Sequence, residues 1–230
     1  MGYLPVMMNL QRLPVLIVGG GAVAARKAKK FIAQGARLTI ISPTLHPTLY
    51  PTLTDASLPG SLHWIPRSYH AGDLQDMRLV ITATNCAEVN HAVMSDAQAL
   101  NILVSDASHE DESDFMMMAD HWHSNHLVTA VSTTGIWPAA AREVLRHHSQ
   151  YLSPWWNDVI AVMNSLLAEL EAVPDPARRA SLRRALRSSS PSKWLDQIDK
   201  QGPEGLRPSM HQWLSRLAGV EGGQGVWGEE

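Results

Sequence analysis

The sequence predicts an α/β fold: a parallel sheet with crossover helices in the first half of the chain, and helices alone toward the C-terminus. Three observations carry this. Short apolar runs at Pro14–Val18, Arg37–Ser42, Leu79–Thr84 and Ile102–Val104 alternate with helix-like segments, and strands alternating with helices build a parallel sheet through right-handed crossovers. A glycine turn, Gly19-Gly20-Gly21, joins the first run directly to a helical segment. From Pro154 onward, Trp156, Val159, Ile160, Met163, Leu166, Leu167 and Leu170 recur at helical spacing.

The first run is apolar throughout, as suits a strand buried on both faces. Gly19, Gly21 and Ala24 follow in G-x-G-x-x-G/A spacing. Gly19 permits the tight turn, Gly21 lets a pyrophosphate approach the backbone, and Ala24 lets the helix pack close to the strand. The N–H groups at the positive end of that helix then face the phosphates. The helix runs from Ala22 to Gln34, with Val23, Ala24, Ala28, Phe31 and Ile32 as its apolar residues and Gly35 as its stop. With Arg37–Ser42 it completes a β-α-β unit of about 30 residues. The unit is Rossmann-like and predicts a dinucleotide site. Gly19, Gly20, Gly21, Ala22 and Val23 surround its pyrophosphate, and Ser42 and Pro43 close the second strand. A carboxylate at that place would hold the ribose 2′-OH of NAD, and a nearby Arg the 2′-phosphate of NADP. Ser42-Pro43 supplies neither, so these residues leave NAD against NADP open.

A Pro- and Thr-rich stretch to Pro59 reads as loop with at most one short helix, and Leu62–Ile65 as a short strand. Leu79–Thr84 is a buried strand. Its end, Thr82, Ala83 and Thr84, lies where doubly wound folds place ligands. A helix follows through Asn90, Val93, Ala97 and Leu100, then the strand Ile102–Val104. Asn90 either caps that helix or faces the nicotinamide. Near residue 109 the character changes: 109–114 is polar, 115–118 apolar, Leu127–Ser132 a strand, 133–135 a turn, and Pro138 opens a helix as its first residue. Pro174 and Pro176 interrupt the C-terminal helices. A basic helix follows at Ala177–Arg187, with short helices around Trp194 and Trp213–Leu217 and a frayed glycine-rich end from Gly219. The implied domains are 1–112, 113–150 and 151–230.

With 230 residues, a formal charge of −3 and no basic block, nucleic-acid binding is disfavoured as a main role. The single cysteine, Cys86, excludes an internal disulfide, suits a reducing compartment and reads as a structural thiol. No apolar stretch reaches the ~18 residues of a membrane span, and no secretory signal is evident. A soluble cytoplasmic chain with no membrane partner is expected.

Several spaced fragments follow in order from residue 3 to about 150: Tyr3-Leu4-Pro5; Val18–Gly21 with Ala24 and Arg26-Lys27-Ala28; Gly35–Thr39 with Pro43; Arg67 and Tyr69 with Asp73-Leu74; Leu79–Thr84 with Asn90; Asp114-Phe115; and Ala130–Ser132 with Gly135, Pro138, Ala141 and Arg142. Together they resemble the siroheme synthase N-terminal module family, that is, precorrin-2 dehydrogenase with or without sirohydrochlorin ferrochelatase activity. The resemblance implies a homodimer with an NAD-binding Rossmann domain, a small α+β dimerisation region and a C-terminal helical domain. It implies NAD as cofactor and precorrin-2, a tetrapyrrole with eight carboxylates, as the substrate oxidised to sirohydrochlorin. A polyanionic substrate calls for cations; Arg67, Arg142 and Arg146 are the candidates, with Ser132 and Thr133 offering backbone N–H groups to a carboxylate. In the Ser132–Gly135 turn, Thr134 replaces a family glycine.

The chain also departs from the family pattern. The family places a functional Asp just after the strand taken here to end at Val104. Aligning Ile102 and Asp114-Phe115 without a gap puts Ser108 at that place and Ser105 at a family Asn. Asp106 lies two residues earlier, on the same face of an extended strand, and substitutes only with a shifted register. Ser108 and Asp106 are therefore the catalytic candidates. A serine hydroxyl is neither a useful base nor a strong metal ligand. Metal insertion, which needs macrocycle N–H protons removed, is thus expected to be weak or absent. Hydride transfer is mainly a matter of positioning two rings and is expected to survive. The rival readings are a bifunctional dehydrogenase–chelatase, with Asp106 or His109 standing in, and a non-catalytic nucleotide- or tetrapyrrole-binding protein. No metal site is assigned. His109 is the candidate ligand within the group His109, His121, His123 and His126. His121 and His123 share a face only if extended, and diverge on the helix the family implies. Met116–Met118 and Trp155-Trp156 read as packing residues.

Overall fold

A computed structural model describes residues 3–108 and 112–218. The chain forms two compact units, one from residues 1–117 with 134–136, the other from 118–133 with 137–230. The expected frayed end from Gly219 lies outside the described residues.

The first unit is built on five parallel strands: β1 (Pro14–Val18), β2 (Arg37–Ile41), β3 (Ser61–Ile65), β4 (Leu79–Thr82) and β5 (Leu103–Asp106), in the order β3-β2-β1-β4-β5. Helix α1 (Ala22–Ala33) connects β1 to β2, and α2 (Ala87–Ala99) connects β4 to β5. Side chains alternate across a strand, so each strand feeds two cores. Val15, Ile17, Leu38, Ile40, Leu79 and Ile81 pack against Ala24, Ala25, Ala28, Phe31 and Ile32 of α1. Leu16, Val18, Ile41, Val80 and Val104 pack against Val93, Met94 and Ala97 of α2. Burial on both faces explains the unbroken apolar runs. Gly35, at φ +84°, ends α1 by donating its N–H to the Ile32 carbonyl at 3.0 Å.

Between β2 and β3 the proline-rich stretch forms two short 3₁₀ turns, Pro47–Leu49 and Pro51–Leu53, each opened by proline. Leu45 and Leu49 from this stretch join the α1-side core. Among the expected strand ends, β4 stops at Thr82 instead of Thr84, and β5 continues through Ser105 to Asp106 instead of ending at Val104. Parallel pairing extends that far because Thr82 stands opposite Asp106 and the Ala107 N–H reaches the Thr82 carbonyl at 2.9 Å.

In the second unit, β6 (Ala119–Trp122) and β7 (Val128–Val131) form an antiparallel hairpin that packs with α3 (Pro138–Tyr151). Strand β6 replaces the helix implied for the segment around His121. The remaining helices are α4 (Trp156–Glu169), α5 (Pro176–Ser188), α6 (Pro191–Gln201) and α7 (Leu206–Leu217). They enclose their own core of Val159, Leu166, Leu182, Leu186, Trp194, Ile198, Met210 and Leu214, against which Trp155 packs. Asp175 caps α5 by accepting the Ala177 N–H at 3.0 Å, and Pro stands in the first turn of α3, α5 and α6. Among the described residues no helix is long and apolar enough to cross a membrane.

Candidate active site at the carboxyl ends of the strands

From β1 the chain runs outward through β2 to β3, then returns to β4 on the other side of β1. The reversal leaves a crevice at the carboxyl ends of β1 and β4, the usual ligand position in such sheets. The glycine turn lies at this point, and its three glycines differ. Gly19 has φ +121°, and a Cβ there would stand 2.3 Å from the Ala83 carbonyl oxygen. A Cβ on Gly20 would stand 1.9 Å from the Thr44 carbonyl oxygen and 2.7 Å from Ser42 Oγ. These two glycines let β1 pass against the loops after β4 and β2. Gly21 is unlike them: a Cβ there meets nothing within 4 Å. It is the N-cap of α1, with extended backbone and no side-chain cap. Open space beside an uncapped helix N-terminus fits a pyrophosphate. Ala22 and Val23 open the helix beside it, and Ala24 is fully buried, as close packing of α1 requires.

Ser42 is buried beside Gly20, and its carbonyl accepts the Trp64 indole N–H at 3.0 Å. Pro43 is exposed. Ala83 and Thr84 are half-buried where β4 ends. Thr82 is fully buried, and its Oγ1 has no hydrogen-bond partner among the described residues.

A chain of polar groups crosses from the end of β4 to the end of β5. Thr84 Oγ1 lies 2.6 Å from Asn90 Oδ1, Asn90 Nδ2 lies 3.2 Å from Ser108 Oγ, and Ser108 Oγ lies 2.6 Å from Asp106 Oδ1. The Ser108 N–H donates to the same Asp106 oxygen at 2.7 Å. Asn90 and Asp106 are buried, while Ser108 is exposed. Two residues weighed as alternatives for one position thus act together: Asp106 ends the strand and Ser108 covers it. The Asp106 N–H is held by Ser113 Oγ at 2.9 Å, and Asp114 straps Val104 through two hydrogen bonds.

The other predicted residues are scattered. The Arg67 guanidinium forms a two-point pair with Asp73, both contacts at 2.7 Å, and donates to the Ser68 carbonyl. Arg67 beside it holds the Asp73 carboxyl below the usual carboxylate range. Arg142 is exposed on α3, and Arg146 pairs with Glu143. Thr133 Oγ1 accepts the Trp137 N–H at 3.0 Å, ahead of α3, and Ser132 is exposed just before it. Thr134 takes φ +52°, a left-handed conformation that a β-branched residue rarely adopts. His121 lies on β6 and His123 at the bend just after it, with their rings in edge contact at 4.6 Å, and His123 Nε2 is 3.0 Å from Thr129 Oγ1. Burial, together with His121 and His148, lowers the His123 pKa. His109 lies outside the described residues. Among the described residues no group of three or more His, Cys, Asp or Glu is placed to hold a metal ion. Met117 packs on the α1-side core, and Cys86 Sγ donates to Glu88 Oε2 at 3.0 Å.

Fold and crevice define a dinucleotide-binding α/β protein. Residues 6–119 match the family model described as "Putative NAD(P)-binding". The chain is 38% identical over 144 residues to the siroheme synthase of Chromobacterium violaceum, covering 63% of this chain and 30% of that protein. It is 35% identical over 154 residues to siroheme synthase 1 of Serratia proteamaculans, covering 67% and 31%. In fold it is similar to the precorrin-2 dehydrogenase SirC, with a TM-score of 0.67 at 20% identity, covering 93% of this chain and 100% of that one. These matches support a relationship to the siroheme synthase N-terminal module family. The chain spans less than a third of the length of either of these siroheme synthases.

Proposed function

We propose that the chain is an NAD-dependent precorrin-2 dehydrogenase that yields sirohydrochlorin. The observation that carries this reading is the open, uncapped turn at Gly21 in the same sheet crevice as the Ser108–Asp106 pair. In this reading Gly19, Gly20, Gly21, Ala22 and Val23 hold the pyrophosphate, Ala83 and Thr84 lie along the nucleotide, and Ser42 and Pro43 flank the ribose. Bound NAD+ supplies the hydride acceptor. Removing two hydrogens from precorrin-2 as a hydride and a proton also requires a proton acceptor. Ser108 Oγ takes that proton from the substrate as it passes its own to Asp106 Oδ1. A carboxylate placed behind the hydroxyl makes this transfer accessible near neutral pH. Arg142, with the backbone N–H groups of Ser132 and Thr133, is proposed to meet substrate carboxylates. The acting species is proposed to be a cytoplasmic homodimer.

Metal insertion is expected to be weak, because Asp106 Oδ1 already accepts two hydrogen bonds from Ser108. One observation favours the bifunctional alternative: a carboxylate does stand at the end of β5. An anaerobic mixture of protein, NAD+ and precorrin-2, with Co2+ or Fe2+ added second, separates these readings. NADH and the sirohydrochlorin spectrum should appear together before metal is added. Ligand binding without NADH would leave a non-catalytic binding protein. Metal insertion well above the uncatalysed rate would establish the bifunctional enzyme.

A further inference from the structure

We propose that Asn90 is a positioning residue that sets the direction of the hydrogen bonds around Ser108 and so aims the Ser108–Asp106 pair. For turnover, the inference rests on the dehydrogenase reading above; for the hydrogen bonds themselves, it rests on geometry alone.

Asn90 lies in the first turn of α2, and its backbone N–H makes an ordinary helical bond to the Cys86 carbonyl at 3.1 Å. Its side chain is engaged outside the helix, with Thr84 and Ser108, and caps nothing. Asn is also a poor helix former, and a buried amide must be satisfied. Helix stability therefore does not explain it. Its amide instead bridges two strand ends.

The direction of the chain follows from which groups can donate. A carboxylate only accepts, so Ser108 Oγ, 2.6 Å from Asp106 Oδ1, gives its single proton to Asp106. Ser108 Oγ must then accept from Asn90, which turns Nδ2 toward Ser108 at 3.2 Å. A second contact requires the same orientation: Nδ2 also lies 3.3 Å from the Thr84 carbonyl, which only accepts. Oδ1 therefore faces Thr84 Oγ1. That hydroxyl donates to Oδ1 at 2.6 Å in preference to the Cys86 carbonyl at 3.0 Å. Between the side chains the bonds run one way: Thr84 to Asn90 to Ser108 to Asp106.

The consequence falls on Ser108. A hydroxyl has one proton and two acceptor sites. Asp106 takes the proton and Asn90 fills one acceptor site. The second acceptor site remains on an exposed residue, where a substrate proton can arrive. Without the Asn90 amide, the hydroxyl can rotate its proton outward and leave Asp106 with a weaker donor. Thr84 starts the chain beside the glycine turn: its backbone nitrogen is 3.1 Å from where a Gly19 Cβ would stand. The chain thus ties the loop along the nucleotide to the carboxylate.

The test compares wild type with Asn90→Leu and Asn90→Asp, with Thr84→Val as a milder variant that leaves the buried amide in place. Melting curves and NADH fluorescence titrations check folding and nucleotide binding. For the Asn90 variants the positioning role predicts an unchanged NADH Kd and NAD+ KM, and a kcat lower by roughly tenfold to a hundredfold, within what general-base catalysis supplies. The acid limb of the kcat–pH profile should move up by about one unit, since the carboxylate has lost part of its hydrogen bonding. NMR titration of the Asp106 carboxyl carbon should show the same upward movement whether or not turnover is seen. Thr84→Val should move both readouts in the same direction by less. If wild type binds NADH but never oxidises precorrin-2, the dehydrogenase reading fails and the Asp106 titration alone decides this inference. An Asp106 titration unchanged in Asn90→Leu overturns it; so does a wild-type kcat and pH profile in an active Asn90→Leu protein. If both Asn90 variants fail to fold, an unmoved Asp106 titration in Thr84→Val overturns it.

Discussion

Replacing Gly20 and Gly21 in turn by alanine separates folding from nucleotide binding at neighbouring positions. At Gly20 the new methyl would stand 1.9 Å from the Thr44 carbonyl oxygen, against an ordinary C···O contact of about 3.3 Å. Backbone must then move by more than about 1 Å. Overpacking costs about 1–3 kcal/mol where side chains can adjust, so against backbone we expect at least about 3 kcal/mol. For a chain of this size that lowers Tm by about 10 °C. At Gly21 the methyl meets nothing within 4 Å, and the backbone, at φ −79° and ψ −171°, suits any residue. Alanine is a poorer N-cap than glycine by a few tenths of a kcal/mol or more, and a less flexible unfolded chain returns about 0.4–1 kcal/mol. Stability should change by no more than about 0.5 kcal/mol. Binding should not be spared, because the methyl occupies the space through which phosphate oxygens reach the α1 N–H groups. Losing one such bond, worth about 1.5–3 kcal/mol when charged, weakens NADH roughly tenfold to a hundredfold. Scanning calorimetry and NADH fluorescence titration on the two variants read both quantities. A Gly21→Ala protein with wild-type melting and wild-type NADH affinity would refute the placement of the pyrophosphate.

Two further outcomes follow from single side chains. Thr82→Val removes a buried hydroxyl with no partner among the described residues, so denaturant unfolding should show no loss, or a gain of up to about 1 kcal/mol; a loss above that would mean a bound water or ligand satisfies the hydroxyl. The pKa of His123 is lowered by burial and by its neighbours His121 and His148, so the folded second unit favours neutral His123. That stability is complete above the ordinary pKa of 6.5 and falls as pH drops through the lowered folded value. Melting temperatures taken from pH 7.5 down to pH 5 should decline, and His123→Asn should flatten the decline.

What could be read before the structure follows from how local each signal is. The Val18–Ala24 turn is decided by near neighbours, and the sequence placed it correctly. The structure adds that only Gly21 stays open, because the close approaches at Gly19 and Gly20 come from Ala83 and Thr44, far away in the chain. The end of β5 is not legible locally for a related reason. An alignment without a gap between Ile102 and Phe115 assumes that the loop keeps its length, whereas pairing with β4 carries the strand to Asp106. Strand β6 is not legible in the sequence because Met-Met-Ala-Asp-His-Trp-His has no clear period of two, and its pairing, from Trp122 with Val128 to Ala119 with Val131, is made only once the hairpin has closed. Asn90 was visible as a polar residue in an apolar helix pattern. Its role was not, because Thr84 and Ser108 meet it only once both strand ends are in place.

The end of β2 bears on which dinucleotide the crevice prefers. From Ser42 to Thr54 the chain contains no Asp, Glu, Lys or Arg. A carboxylate there would favour the free 2′-OH of NAD, and an Arg the 2′-phosphate of NADP. Ser42 is turned inward beside Gly20, so its hydroxyl serves packing more than recognition. The His46 ring is engaged with Thr48, whose N–H its Nδ1 accepts at 3.4 Å and whose hydroxyl lies 3.0 Å away. A ribose lying over this segment therefore meets hydroxyl groups and backbone. A 2′-phosphate would lose its hydration there with no guanidinium or ammonium from this segment to replace it, and a free hydroxyl would lose little. The same segment thus disfavours NADP without demanding NAD by a charged contact. That is a physical reason for our choice of NAD, and for expecting discrimination weaker than an acidic residue at the end of β2 would give.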